Sequence, residues 1–328
     1  MSRVTVLMSV YNGEKYLAEA VDSVLGQTLS DIQLICIDDA STDSTPDMLA
    51  RYAEADRRVK VITHQENTGQ AVARNDGIRI ADGDYITMVD ADDWLSADAL
   101  ELAVRSLDSD AETGAVLLDL VYHYPDRTEE YPMRSDKQSW SGKEAMELSL
   151  DWSVHGLYVA RTELFRRYPY DDTCRLYSDD NTTRLHYLHA GRVGRCGGVY
   201  HYRQHDGSMT NSISLRRYDI LEANSSMSHT LRAENLEKDI LSRFERERWI
   251  NLTGICIYWM KNDGMRMTAA ENGEILHRIR TAYEDVDRSL LPKRLTLKFG
   301  YRVCRSFDSW LRQVRAYHKM RVLLKRDR

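Results

Sequence analysis

An open, mostly parallel α/β sheet with helices on both faces, followed by a helical C-terminal region, is the fold this sequence predicts. Short apolar, β-rich runs alternate with helical stretches four times in about a hundred residues, the pattern of a parallel sheet covered by helices. Each run ends in polar residues at its carboxyl end, the edge at which such sheets bind ligands. From about Leu215 onward the chain becomes rich in Leu, Glu, Arg and Met and reads as helix.

The first strand, 4–10, breaks at Tyr11, Asn12 and Gly13 into a helix. Its Leu17, Ala20, Val21, Val24 and Leu25 fall at i, i+3, i+4, i+7 and i+8 and so bury one face. A second strand, 32–37, ends in the turn and cap residues of 38–43. Thr45 and Pro46 then start a helix with Met48, Leu49 and Tyr52 inward. The third strand, 59–63, leads through Asn67, Thr68 and Gly69 into a helix that ends near Ala81. The fourth run starts at Tyr85 after the break at Gly83, is too short for a helix, and ends in Asp90, Asp92 and Asp93. More strand is expected within 115–135 and a helix from Trp140 to Leu150, while 170–210 reads as polar and loop-rich.

With 328 residues, 42% hydrophobic and 29% charged, the chain can bury a sizeable core. Five scattered cysteines, Cys36, Cys174, Cys196, Cys256 and Cys304, have no C-x-x-C spacing, which argues against a disulfide framework or a zinc site and for a reducing, cytoplasmic setting. The N-terminal apolar run is short and lacks a cleavage site, so it reads as a strand and not as a signal peptide. No segment reaches the ~18 apolar residues of a spanning helix. The net charge of -6 is uneven: 292–328 holds twelve Lys or Arg against Asp308 and Asp327, a local +10 that leaves -16 for the rest.

Asp90 and Asp92 repel each other unless a cation neutralises them, and hard oxygen ligands in a D-x-D arrangement suit Mg²⁺ or Mn²⁺ held against a phosphate. The purely structural alternative is an acidic turn capping the helix of Leu100, Ala103, Val104 and Leu107, with Ser96 and Asp98 in its first turn. Asp179 and Asp180 likewise read, by themselves, as the N-cap of a helix through Thr182, Thr183 and Leu185.

Six stretches stand in one order: 8–17, 38–43, 67–75, 83–93, 178–180 and 202–208. Together they resemble the family-2 glycosyltransferases, inverting enzymes of the Rossmann-like GT-A fold that use a nucleotide-activated sugar. The resemblance covers 3–210, nearly two-thirds of the chain. It implies a nucleotide-sugar-binding and catalytic domain, 1–212, and a helical region with a basic amphipathic tail, 213–328.

Residue by residue, the resemblance places Val10, Tyr11, Asn12 and Glu14 along the base and ribose, with Asn67, Gly69 and Ala91 in the same nucleotide-sugar site. It makes Asp39 the acceptor of a uracil N3–H, lays Arg74 against the base or diphosphate, and sets Asp90 on the ribose hydroxyls. Asp92 is implied as ligand of the divalent cation, Mn²⁺ or Mg²⁺, that bridges the diphosphate. Arg203, His205 and Ser208 match a loop that closes over that diphosphate. Asp180 matches the general base; since Asp179 replaces the usual Glu before it, the base could instead be Asp179. Ser9 stands where many members have Pro, at a position that merely ends a strand.

The implied activity is hexosyl transfer from a nucleotide-sugar, a UDP-sugar first, to a glycan or lipid-linked acceptor in surface polysaccharide synthesis. Two other classes compete. A haloacid-dehalogenase-type phosphatase also has a D-x-D after an apolar strand, but after its first strand and not its fourth. A non-catalytic nucleotide-sugar-binding module would lack a base, whereas Asp180 is present. Nucleic acid is not an expected partner.

In the tail, Val303, Phe307, Trp310, Leu311, Val314, Tyr317 and Leu324 form one apolar stripe opposite Arg305, Arg312, Arg315, Lys319 and Arg326. That is the pattern of an interfacial helix on an anionic membrane, here the inner face of the cell membrane. The alternative is that the stripe packs on the protein itself or joins two copies into a homodimer.

Overall fold

The computed structural model describes residues 2–173, 176–205, 215–262 and 267–324. The chain divides into two compact units, Met1–Ile213 and Ser214–Arg328.

The first unit opens with β1 (Val4–Val10), α1 (Leu17–Leu25), β2 (Ile32–Asp38), α2 (Thr45–Ala55), β3 (Val59–Thr63), α3 (Gln70–Ile80) and β4 (Tyr85–Met88). The four strands are parallel and stand in the order β3-β2-β1-β4. Every residue of β2 is buried, as an unbroken apolar run inside a parallel sheet requires. Gly83 lets β4 enter beside β1, since a Cβ there would lie 2.5 Å from the Thr5 backbone nitrogen.

Beyond the acidic turn come β5 (Trp94–Leu95), α4 (Ala99–Ser109), β6 (Thr113–His123), β7 (Thr128–Glu130), β8 (Ser139–Ser141), α5 (Gly142–Ser149), β9 (Tyr158–Arg161), α6 (Thr162–Arg167), α7 (Ser178–His189) and β10 (Arg192–Arg203). The sheet reaches ten strands and becomes mixed. β9 joins β4 and β6 antiparallel, β10 runs parallel to β6, and β5 pairs antiparallel with β10. The apolar face of β1, β2 and β6 packs with α1 and α4 into one core.

Two stretches depart from the sequence expectation. Trp140 lies in β8 and not in a helix, and the supposed loop of 170–210 contains α7 and the twelve-residue β10. The start of α7 agrees with the helix read from Asp179 and Asp180, and its extent was obscured by polar side chains, because its buried face includes Asn181, Thr182, Thr183, Arg184 and His186. Glycines hid β10. Gly198 is required where the strand crosses α4, since a Cβ there would meet the Ala99 Cα at 2.7 Å.

The second unit consists of α8 (Ile220–Ala233), α9 (Lys238–Asn262), α10 (Ala269–Asp285), α11 (Lys293–Thr296) and α12 (Phe307–Leu323), with two short 3₁₀ turns. Its core joins Trp249, Tyr283, Phe307 and Trp310, whose neighbouring ring centroids lie 5.1 to 5.8 Å apart. Of the two readings of the tail stripe, packing on the protein itself is the one observed. Phe307, Trp310, Leu311 and Val314 are buried within the unit, because a Trp- and Phe-bearing face is what α9 and α10 need to close their own core. Toward its end the helix leaves Met320, Val322 and Leu323 exposed, with Leu324 just past it, and Arg326 lies outside the described residues. Among the described residues no helix is long and apolar enough to cross a membrane.

Candidate active site

The carboxyl ends of β1 and β2 are tied together by polar side chains. Asn12, held at φ 52, accepts the Thr42 N–H on its Oδ1 at 2.8 Å, and Glu14 Oε2 accepts the Ser44 N–H at 2.9 Å. Val10 is buried at the strand end, whereas Tyr11 is 54% exposed beside it. Asp39 is buried and heavily engaged. Its Oδ1 accepts from the Thr68 backbone and hydroxyl, both at 2.9 Å, and lies 2.8 Å from His64 Nδ1; its Oδ2 accepts the Gly69 N–H at 2.8 Å. Against the upward push of burial, these donors hold the carboxyl below its usual range. Asn67 donates to the Asp39 carbonyl at 3.2 Å, and Gly69 takes φ 95 to start α3.

From α3, buried Arg74 donates to Asp90 Oδ1 at 2.9 Å and Gln70 donates to the same oxygen at 3.0 Å. Burial, then the charges of Asp92 and Asp179, push Asp90 up, against the pull of Arg74. Ala91 follows, half-buried, before Asp92.

Asp93, to which the sequence motifs assign no role, is the most deeply buried of the three, 2% exposed. It accepts from Tyr200 Oη at 2.8 Å and from the Arg203 N–H at 2.8 Å, while Tyr200 Oη accepts the Asp90 N–H at 3.1 Å. Burial first, then Asp90 and Asp92, raise Asp93 to about 8. The network fastens the acidic turn to the end of β10.

Arg203 is engaged on several sides. Its Nε donates to the Asp92 carbonyl at 2.9 Å, its Nη2 to Glu19 at 2.5 Å, and its guanidinium lies 4.6 Å and 4.5 Å from the ring centroids of Tyr16 and Trp94. In this arrangement Arg203 ties β10 to α1 and the acidic turn. His205 Nε2 lies 2.8 Å from Asp92 Oδ2. Ser208 falls outside the described residues.

Asp179 and Asp180 occupy the first turn of α7, where the helix dipole favours carboxylates. They face different neighbours. The charge of Asp179 is felt by Arg74 and Asp90. Asp180 lies 4.0 Å from Arg184, whose guanidinium is 5.2 Å from the Trp152 ring centroid. Burial, then the charge of Asp179, raises Asp180 to about 7, against Arg184.

Among the described residues no three or more His, Cys, Asp or Glu form a ready metal-ligand group. Asp92 and His205 nevertheless bring one carboxylate oxygen and one imidazole nitrogen to one point. That donor pair fits a Mn²⁺- or Mg²⁺-type ion that takes its remaining ligands from phosphate and water.

A family model described as glycosyl transferase family 2 matches residues 5–173. EpsJ of Bacillus subtilis (strain 168), an uncharacterized glycosyltransferase, is 32% identical over 223 residues, which is 63% of this chain and 62% of that protein. EpsH of the same organism, a putative glycosyltransferase, is 38% identical over 123 residues, 38% of this chain and 35% of that protein. The matches thus span about a third and three-fifths of these relatives' lengths. S. aureus TarS 1–349 in complex with UDP-GlcNAc superposes with a TM-score of 0.74 at 18% identity, covering 97% of this chain and 92% of that one. The mannosyltransferase PcManGT from Pyrobaculum calidifontis, in complex with GDP-Man and Mn²⁺, superposes with a TM-score of 0.56 at 19% identity, over 97% of this chain and 87% of that one. At these identities the likeness shows a shared fold.

Proposed function

The chain belongs to glycosyl transferase family 2, and from that premise we propose that it is an inverting, metal-assisted glycosyltransferase that moves a hexosyl group from a nucleotide-sugar to an acceptor hydroxyl. The observation that carries this is the grouping of Arg74, Asp90 and Asp179 beside the Asp92–His205 donor pair, with Asp180 next to Asp179 on α7. The complexes of TarS with UDP-GlcNAc and of PcManGT with GDP-Man and Mn²⁺ support a nucleotide-sugar donor, and we take UDP first.

In this reading the surface of Val10, Tyr11, Asn12 and Glu14, together with Asn67, Gly69 and Ala91, receives the nucleotide, while Asp39, largely occupied within the protein, offers Oδ2 to the base. Asp90, oriented by Arg74 and Gln70, meets the ribose. Asp92, with His205 beside it, holds a divalent cation that would supply positive charge against the departing diphosphate. Arg203 holds the loop carrying His205 to the acidic turn. Asp180 takes the acceptor proton from the face opposite the leaving group, so that in-line attack inverts the anomeric centre. Asp179 is the alternative base. Release of nucleoside diphosphate from a panel of nucleotide-sugars tests the reading. Asp92→Asn should lower release by orders of magnitude and remove its response to added Mn²⁺; activity indifferent to both chelator and Asp92→Asn would refute the metal assignment.

For the acceptor we keep a surface glycan or lipid-linked glycan. Attachment to an anionic membrane then rests on the exposed Leu297, Phe299, Leu323 and Leu324 beside exposed Lys293, Arg294, Lys298 and Lys319, and not on the buried stripe. Joining of two copies through the C-terminal helices remains the competing use of that surface. Co-sedimentation with anionic vesicles should fall with salt and with the pair Leu323→Glu and Leu324→Glu; unchanged partition would argue against the membrane.

A further inference from the structure

We propose that the surface between the end of β6 and the first turn of α7 is an aromatic shelf that stacks a pyranose ring of the acceptor, with Trp152, Tyr131 and Tyr122 as its platform. The proposal rests on the reading of Asp180 as the base, because the shelf ends at that residue. Its aromatic parts come from four separate stretches of chain, joined by ring contacts among the tyrosines and by a hydrogen bond to the Trp152 backbone. The Tyr122 ring lies 5.6 Å from Tyr202, 6.4 Å from Tyr124 and 6.2 Å from Tyr131. Tyr131 Oη donates to the Trp152 carbonyl. The Arg184 guanidinium sits 5.2 Å from the Trp152 ring centroid and 4.0 Å from Asp180 Oδ2. All five aromatic residues are half-buried, so their rings are fixed by neighbours while keeping surface in reach of solvent.

Two features single this region out from an ordinary core margin. Trp152 holds φ 55, a left-handed conformation that is an outlier for a bulky residue and persists where surrounding contacts over-determine it, as at ligand clamps. Tyr131 and the buried Tyr187 hold the flanks, Tyr187 Oη donating to the His155 carbonyl at 2.6 Å. Behind Tyr131, its ring 5.0 Å away edge-on, the His155 side chain is 3% exposed and its Nε2 has no hydrogen-bond partner.

The chemistry selects the occupant. A pyranose presents an apolar C–H face to a ring and polar hydroxyls around its rim, which suits Tyr and Trp with one apolar face and a polar tip. A phosphate would need a cation not already committed, whereas Arg184 is engaged by Trp152 and Asp180. A lipid chain would need a wider apolar patch than these rings, interrupted by the Asp119–Arg195 ion pair at 2.6 Å near His155.

The test uses the full chain with ¹⁵N-labelled tryptophan, the Trp152 indole signal being assigned by its loss in Trp152→Phe. Methyl β-glycosides of glucose, galactose, mannose and N-acetylglucosamine are titrated to tens of millimolar with UDP present. At least one should shift the Trp152 signal, and Trp152→Ala and Tyr122→Ala should weaken its binding about tenfold or more, with Trp152→Phe restoring most of it. Circular dichroism and UDP affinity within twofold of the parent report that each variant is folded. If no glycoside moves Trp152 in a protein that binds UDP, or if Trp152→Ala binds the sugar as well as the parent does, the shelf is wrong. Sugar binding at Trp152 in a protein that cleaves no nucleotide-sugar keeps the shelf and overturns the catalytic reading instead.

Discussion

Asp180 sits where a proton acceptor gains most from its surroundings, at about 7 and beside a second carboxylate. A base with that value is half-deprotonated near neutrality. The acceptor-transfer kcat/KM should therefore rise about tenfold per pH unit below roughly 7 and level off above it, and Asp180→Asn should remove that limb while lowering the rate by ~10² to 10⁴. If the limb survives Asp180→Asn and disappears in Asp179→Asn, the register is off by one residue. The same shift has a sign for stability. A carboxyl raised from its ordinary value to about 7 leaves the folded state holding a proton that the unfolded chain has released, so stability is lost as pH rises through that window. Asp180→Asn should consequently raise Tm at pH 8 and leave it unchanged at pH 4, a gain of about 1–2 kcal/mol at the higher pH after allowance for the solvent around the side chain. The carboxylates of the site were legible because they cluster in short motifs. The network of Asp93, Tyr200 and Arg203 was not, since its partners are 107 and 110 residues apart in sequence and only the fold brings them together.

At the level of elements, strand β10 does most of the positioning and was the least legible. The first four strands announce themselves by apolar runs with polar ends. β10 instead reads as glycine and polar residues, because it passes close to α4 and carries Tyr200 and Arg203 to the acidic turn. β5 and β9 are short enough to hide inside longer patterns. This closeness gives a direct expectation for Gly198. An added methyl would meet the Ala99 backbone, its Cα at 2.7 Å and its carbonyl oxygen at 2.8 Å, and neither can move aside as a side chain can. Gly198→Ala should cost about 1–3 kcal/mol, read as a lower Tm. Because the displaced strand carries the tether of the acidic turn, the variant should also bind nucleotide-sugar more weakly. A Tm within a degree of the parent would mean that β10 has more freedom against α4 than its packing allows. The helix of the tail teaches the opposite lesson, for its amphipathic pattern was legible but its destination was not. Periodicity gives the apolar face of α12, and only the surrounding helices decide whether that face meets lipid or protein.

On the scale of the whole molecule, the two units should answer acid through different groups. In the first unit His155 and His186 are each lowered to about 4 by burial. His186 is held neutral between Tyr158 Oη at 2.7 Å and the Tyr168 carbonyl at 2.8 Å, so its Nδ1 accepts and its Nε2–H donates. An imidazole depressed in the folded state leaves the unfolded chain to bind protons first. Stability is thus full above the ordinary histidine range and falls as pH drops through it toward 4. Each group contributes roughly 2–3 kcal/mol of this loss, while the raised carboxyls of the same unit, Asp93 at about 8 and Asp180 at about 7, add stability as pH falls through the same window. The second unit is built otherwise. Its Asp285 is held low by the Ser225 hydroxyl and Arg248, which outweigh burial, and Asp287 by Ser289 ahead of Arg232. Carboxyls depressed in this way lose their stabilising effect only as pH falls below the ordinary carboxylate range. The histidine contribution is therefore read by difference. His186→Gln removes the titrating group, and its stability relative to the parent should rise by about 2–3 kcal/mol as pH falls from 6.5 to 4, even if the variant starts less stable. A difference that stays constant across denaturant titrations at pH 6.5, 5 and 4 would show that this imidazole does not carry the acid sensitivity.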